Sequence, residues 1–141
     1  MIVEKAVGYI LKNTAGISAV IGSRAYLLAA PQNAAFPYVV FQIAPHGVDP
    51  YDTKTTTQGG ADLDRVRVEI HSFADKTDTA ATLDSTIRTT LDRYPHGAIN
   101  GVTLDGVQFI TTNNFAEPNL NDDGATVIFH YVSEYNFRVK Y

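Results

Sequence analysis

The segment Ala29-Ala30-Pro31-Gln32-Asn33-Ala34-Ala35-Phe36-Pro37-Tyr38-Val39-Val40-Phe41 constrains the fold of this chain more than any other. Pro31 and Pro37 fix φ and bias the residue before them away from helix, so the chain arrives extended at an apolar run. A strand is predicted over 36–44, with Val39, Phe41 and Ile43 on one face and Tyr38, Val40 and Gln42 on the other. Upstream, Val3, Ala6, Val7, Ile10 and Leu11 recur at helical spacing and predict an amphipathic helix over 2–14. Gly16 is expected to end it, and residues 17–21 to add a further turn before Gly22.

Residues 64–73 alternate. Val66, Val68 and Ile70 share one face; Arg65, Arg67, Glu69 and His71 share the other. Asp75 is placed to cap a following helix, with Asp78 near its positive end. Ala80, Leu83, Ile87, Leu91 and Tyr94 form the stripe of that helix, Asp84 and Arg88 an i,i+4 pair, and Pro95 its stop. Asn100-Gly101 is a hairpin-type turn signal, because both residues tolerate positive φ. A strand over about 102–112, a polar loop over 113–124 and a final strand over 126–139 are expected to follow. The odd positions of that last strand are Val127, Phe129, Tyr131, Tyr135, Phe137 and Val139, an apolar face that should pack under the helices. Its even face sets Ile128 and Val132 between His130, Glu134, Asn136 and Arg138, which suits water or a wet partner surface. The simplest assembly is an α+β domain: an antiparallel or mixed sheet of about four to five strands, with two helices on one face.

Residues 45–62 differ in character. Pro45, Gly47, Pro50, Gly59 and Gly60 bracket a Thr53-Lys54-Thr55-Thr56-Thr57 run with few large apolar residues. A connection this long inside a small domain is usually functional. It is expected to be an extended loop, or a hairpin arm given the β propensity of threonine. The chain's 141 residues suit one domain, 1–141, burying roughly 68–70% of its unfolded surface. With 15 acidic residues against 11 Lys+Arg, net charge −4, there is no basic patch of the kind duplex DNA binding requires. Cysteine is absent, which removes disulfides, thiolate metal sites and thiol nucleophiles. Glu4 and Lys5 interrupt the first apolar stretch, so neither a signal peptide nor a membrane span is expected.

Catalytic patterns are missing. His46, His71, His96 and His130 show no metal-ligand spacing; His71 and His130 could be strand neighbours, but nothing supplies a third ligand. Asn119-Leu120-Asn121-Asp122-Asp123-Gly124 resembles half a calcium loop, yet begins with Asn and places His130 where the bidentate Glu belongs, so a polar turn is expected. Asp62 with Asp64, or Asp49 with Asp52, could pair for acid–base work but sit in or beside the long loop. No nucleophile elbow, phosphate loop or dinucleotide fingerprint is present, and no cofactor or metal is implied. Tyrosine is abundant, including Tyr26, Tyr38, Tyr94, Tyr131 and Tyr135; Tyr51 and Tyr141, in a loop and at a chain end, are the first assigned to interfaces.

The chain resembles the tail-terminator, or tail-completion, proteins of long-tailed bacteriophages over nearly its whole length. The likeness rests on the 2–14 helix, Ile21-Gly22-Ser23-Arg24-Ala25-Tyr26, Ala30-Pro31-Gln32, Phe36-Pro37-Tyr38-Val39-Val40-Phe41, the 66–73 strand with its 75–94 helix, and the aromatic last strand. The resemblance implies a non-enzymatic virion protein that forms a ring, commonly sixfold. That ring caps the head-proximal end of the tail tube, stops polymerisation and presents a docking surface to the head connector or stopper. Its partners would be itself, the tube protein and the connector, with DNA passing through the lumen without specific binding and no membrane involved. A head-to-tail ring needs two unlike patches per subunit. Loop length and exposed parity nominate His46, Gly47, Val48, Asp49, Pro50, Tyr51, Asp52, Thr53, Lys54, Arg65, Arg67 and Tyr141 for them. Another head–tail component, or a small enzyme or ligand-binding module using the Asp-rich loops, are the competing readings.

Overall fold

The computed structural model describes residues 3–50 and 63–140. Helices α1 (Val3–Asn13) and α2 (Ala15–Ile21) lead into strands β1 (Ala25–Leu27), β2 (Tyr38–Pro50) and β3 (Leu63–Ala74). Helix α3 (Thr77–Leu91) is followed by β4 (Gly97–Ile99), β5 (Val102–Pro118), a 3₁₀ turn (Leu120–Asp122) and β6 (Val127–Lys140). Six strands form one mixed sheet in the order β1-β2-β3-β6-β5-β4; β1 and β2 run parallel and the other pairs antiparallel. The α+β reading holds, with one more strand and one more helix than the sequence pattern predicts.

The first helix buries Val3, Ala6, Val7, Ile10 and Leu11, the stripe its spacing dictates. Gly16 does not end it. Thr14 does, in an extended conformation, with its hydroxyl donating to the Ile10 carbonyl at 2.7 Å; Gly16 lies inside α2. Such a side-chain bond offers the backbone an alternative to continuing the helix. Gly22, at φ 61°, closes α2 and donates to Ser18. Arg24 then ties the entry to β2: its Nε donates to the Pro37 carbonyl at 2.9 Å, and its own carbonyl accepts from Val39. The Phe36–Pro37 peptide is cis.

Strand β2 does not stop at residue 44. After an irregularity between Ile43 and Val48 it pairs on to Pro50 opposite Asp64, so 45–50 belong to the sheet rather than to a loop. Residues 51–62, the rest of the expected arm, lie outside the described residues. Helix α3 starts after Lys76, which makes no side-chain cap, so Asp75 is not the cap; Asp78 does occupy the first turn. The helix stops at Leu91, four residues before Pro95, where Arg93 turns back at φ 60° and donates to the Val107 carbonyl. Tyr94 therefore packs on the core from outside the helix. Arg88 acts on Asp84 through its charge, while Asp84 is buried against the sheet and Arg88 lies 3.8 Å from the centre of the Phe109 ring.

Asn100 and Gly101, at φ 49° and 81°, make the tight β4–β5 turn. The expected 113–124 loop is half strand, since β5 pairs with β6 as far as Pro118 opposite Val127. The polar turn after it is closed on itself: Asp122 accepts from both the backbone N–H and the hydroxyl of Thr126. The helices cover one sheet face, where Val39, Phe41, Val66, Val68, Ile70, Tyr135 and Phe137 meet Leu83, Ile87, Ile10 and Ile17. Each such side chain contributes about 1.5–3 kcal/mol by leaving water. The odd face of β6 is buried only from Ser133 onward; Phe129 and Tyr131 are half-buried and Val127 is exposed.

Candidate functional site

Among the described residues, no helix covers the opposite face of the sheet. Cross-strand register there aligns Tyr38 with Phe73, Phe73 with His130 and His130 with Phe115, across β2, β3, β6 and β5. The first two pairs stack and the third is tilted, with centroids 4.9, 4.1 and 5.7 Å apart. Tyr26 of β1 meets Tyr38 edge-on at 6.2 Å, and Phe36 stacks on it at 5.4 Å. One aromatic band thus crosses five of the six strands. Paired rings at these spacings contribute roughly 0.5–1.5 kcal/mol each beyond their area.

A second, polar row lies beside the band. His71 Nδ1 and His130 Nε2 are 2.9 Å apart, so one ring donates and the other accepts. Glu69 sits 3.2 Å from the other nitrogen of His71 and accepts from Gln42 at 2.9 Å. A neutral His71 donating to Glu69 must accept at Nδ1 from His130. Two imidazolium rings could not share that bond. Burial, and then the neighbouring His71, push His130 down to about 4. Among the described residues no group of three or more His, Asp or Glu could hold a metal ion.

Further along, the face turns basic. Arg65 and Arg67 of β3 are exposed on it as their parity predicts, opposite Arg138 and Asn136 of β6. Arg65 and Arg138 also line a cleft of about 580 Å³ with Arg93, His96 and Asp105. Asp105 lies 3.5 Å from His96 and 3.7 Å from Arg138. Of the other nominated residues, His46, Gly47, Val48, Asp49 and Pro50 fall in β2; Tyr51, Asp52, Thr53, Lys54 and Tyr141 lie outside the described residues. The structure brings together Asp49 and Arg65 as register partners. The aromatic band was not anticipated from the sequence, although Phe73 shares the parity of His71.

The covered face holds one polar cluster, also unforeseen. Ser133 bonds Asp84, and both touch Thr112 (Asp84 at 3.3 Å, Ser133 at 2.9 Å). Burial raises the Asp84 carboxyl above its ordinary range despite those hydroxyls and Arg88. Ser133 and Asp84 are both buried, so their hydroxyl–carboxylate contact is closed off beneath α3. What the uncovered face presents is a broad surface of aromatic rings with polar tips and a charged end, the composition of a recognition patch.

A family model described as "Tail completion protein gp17" matches residues 5–140. This chain belongs to that family. Membership makes it a structural protein of a phage-type tail. No curated protein sequence matches it. Among solved structures it is similar to a chain of the virion of a native gene transfer agent particle, at 19% identity. That match covers 96% of this chain and 92% of the other, with a TM-score of 0.65. A second solved chain, 11% identical with the same coverage, has a TM-score of 0.54. At these identities the likeness is one of fold.

Proposed function

We propose that this tail completion protein assembles as a ring, sixfold in the commonest form of such proteins, on the head-proximal end of the tail tube. There it ends tube polymerisation and offers the head connector a surface to dock on. The observation that carries this reading is the family match over 5–140, nearly the full length of the chain. The fold supports it: one sheet face is spent on the core, and the other leaves a wide aromatic and charged surface available to neighbours. A chain of net charge −4 also suits a lumen through which DNA passes without adhering.

Electron microscopy of particles made without this protein tests the reading. Overlong tails are the expected outcome. Tailless heads beside tails of normal length would instead assign it to another head–tail joining component, and unaltered infectious particles would overturn both.

A further inference from the structure

The large apolar side chains that stand out from this molecule are not scattered. Among the described residues, Tyr9 (47%) and Leu27 are exposed at the α1–β1 side, Leu28 (64%) beside Tyr38 and Phe73 on the uncovered sheet face, and Phe115, Leu120 (83%) and Val127 towards the β5–β6 tip. Leu28 apart, this exposed apolar surface gathers at two places, the α1–β1 side and the β5–β6 tip.

Their shapes differ. At the α1–β1 side a groove of about 480 Å³ runs between helix and strand, walled by Gly8, Tyr9, Lys12 and Leu27 and ending at Asn100. Gly8 opens it, because a Cβ there would stand 3.2 Å from the Phe41 ring. The β5–β6 tip is a knob, with Leu120 at its apex on the 3₁₀ turn. Their charges differ too. Lys5 and Lys12 against Glu4 leave the groove net positive; Glu117, Asp122 and Asp123 leave the knob net negative.

The two cannot meet within one molecule. Asn100 borders the groove and Val102 begins β5, whereas the knob follows Pro118 at the far end of that 17-residue strand. At about 3.3 Å per residue the strand holds them roughly 50 Å apart. Knob and groove are unlike in shape, opposite in net charge and too far apart to meet within one molecule, which is the geometry of a heterologous, head-to-tail contact.

We propose that Leu120 and the acidic β5–β6 tip of one copy dock in the lysine-flanked α1–β1 groove of the next copy, making the repeating contact of the ring. The occupant is a second copy of this chain, and the inference rests on the ring reading above. Because the chain has no cysteine, a Tyr9→Cys, Leu120→Cys double variant can be cross-linked in complete particles with a short bismaleimide. A ladder of covalent oligomers rising to the ring number is expected, with each single variant remaining monomeric. A double variant that assembles yet stays monomeric on the gel overturns the docking. End-on images of the same particles separate the two ideas: a ring without a ladder sinks the contact alone, and no ring sinks the ring reading as well. Should the cysteine variant yield no particles, charge exchange decides. Lys12→Glu and Asp123→Lys should each reduce complete particles at least tenfold, and their combination should restore them; failure to restore overturns the contact.

Discussion

Two faces of one sheet carry nearly the same alternation and meet opposite fates. On the covered face Phe137 is fully buried among Ile87, Val68 and Tyr135. On the uncovered face Phe73, in the neighbouring strand, is stacked between Tyr38 and His130 yet half-buried. Strand parity separates the faces, and only the second layer decides which becomes core. The same holds for polar groups. Asp84 is carried onto the covered face by α3 and loses water there, whereas Glu69 and His71 on the other face retain partial exposure.

The sharpest test of this contrast is truncation of the two phenylalanines. Phe137→Ala should cost about 3–5 kcal/mol in chemical denaturation, the cost of a cavity in a core that cannot collapse. Phe73→Ala should cost about 1 kcal/mol, because only stacking and partial burial are lost. Equal losses would mean that the uncovered face is core in the isolated chain.

Next in size is the response to acid. The folded His130 binds its proton more weakly than the unfolded residue, so the two states differ only where the unfolded chain protonates first. Stability should be level above pH 6.5 and fall by on the order of 2 kcal/mol as pH drops from 6.5 to about 4. His130→Gln should flatten that slope in pH-dependent thermal melts.

Asp84 acts in the opposite sense. Its folded carboxyl holds a proton more tightly than the unfolded one, so it favours folding at low pH and that contribution is lost as pH rises through its raised value. Asp84→Asn is therefore expected to stabilise the protein by about 1 kcal/mol at pH 8, with the gain disappearing in acid. A loss at pH 8 would show that the Ser133 and Thr112 hydroxyls need the carboxylate.

Much of this was legible in the sequence. The alternation of 64–73 and of the second half of β6, the stripe of α1 and the Asn100-Gly101 turn each follow from a local rule, and the structure obeys them. The misses share a cause. Asn113 and Asn114 give no apolar alternation because that part of β5 is exposed on both faces, and its strand form comes from pairing with β6, a non-local partner. Pro45, Gly47 and Pro50 signal a turn but are carried in β2 past an irregular register. Asp84 is four residues before Arg88 and looks like half of a surface pair until Ser133, 49 positions later, takes its carboxyl. The juxtaposition of His71 and His130 was within reach from parity alone. The full band was not, because its fourth ring, Phe115, lay in the stretch expected to be a loop.

The β5–β6 ribbon continues past Thr112 and Ser133 without a buried side chain among its described residues as far as the tip. Backbone amides of residues 113–118 and 127–128 are held by one ladder and no overlying layer, so they should exchange with solvent by fraying while residues 133–139 wait for global opening. A tongue that breathes without disturbing the domain can be reshaped by mutation at little cost to folding, leaving its fit to a neighbour free to drift while the body of the protein stays fixed.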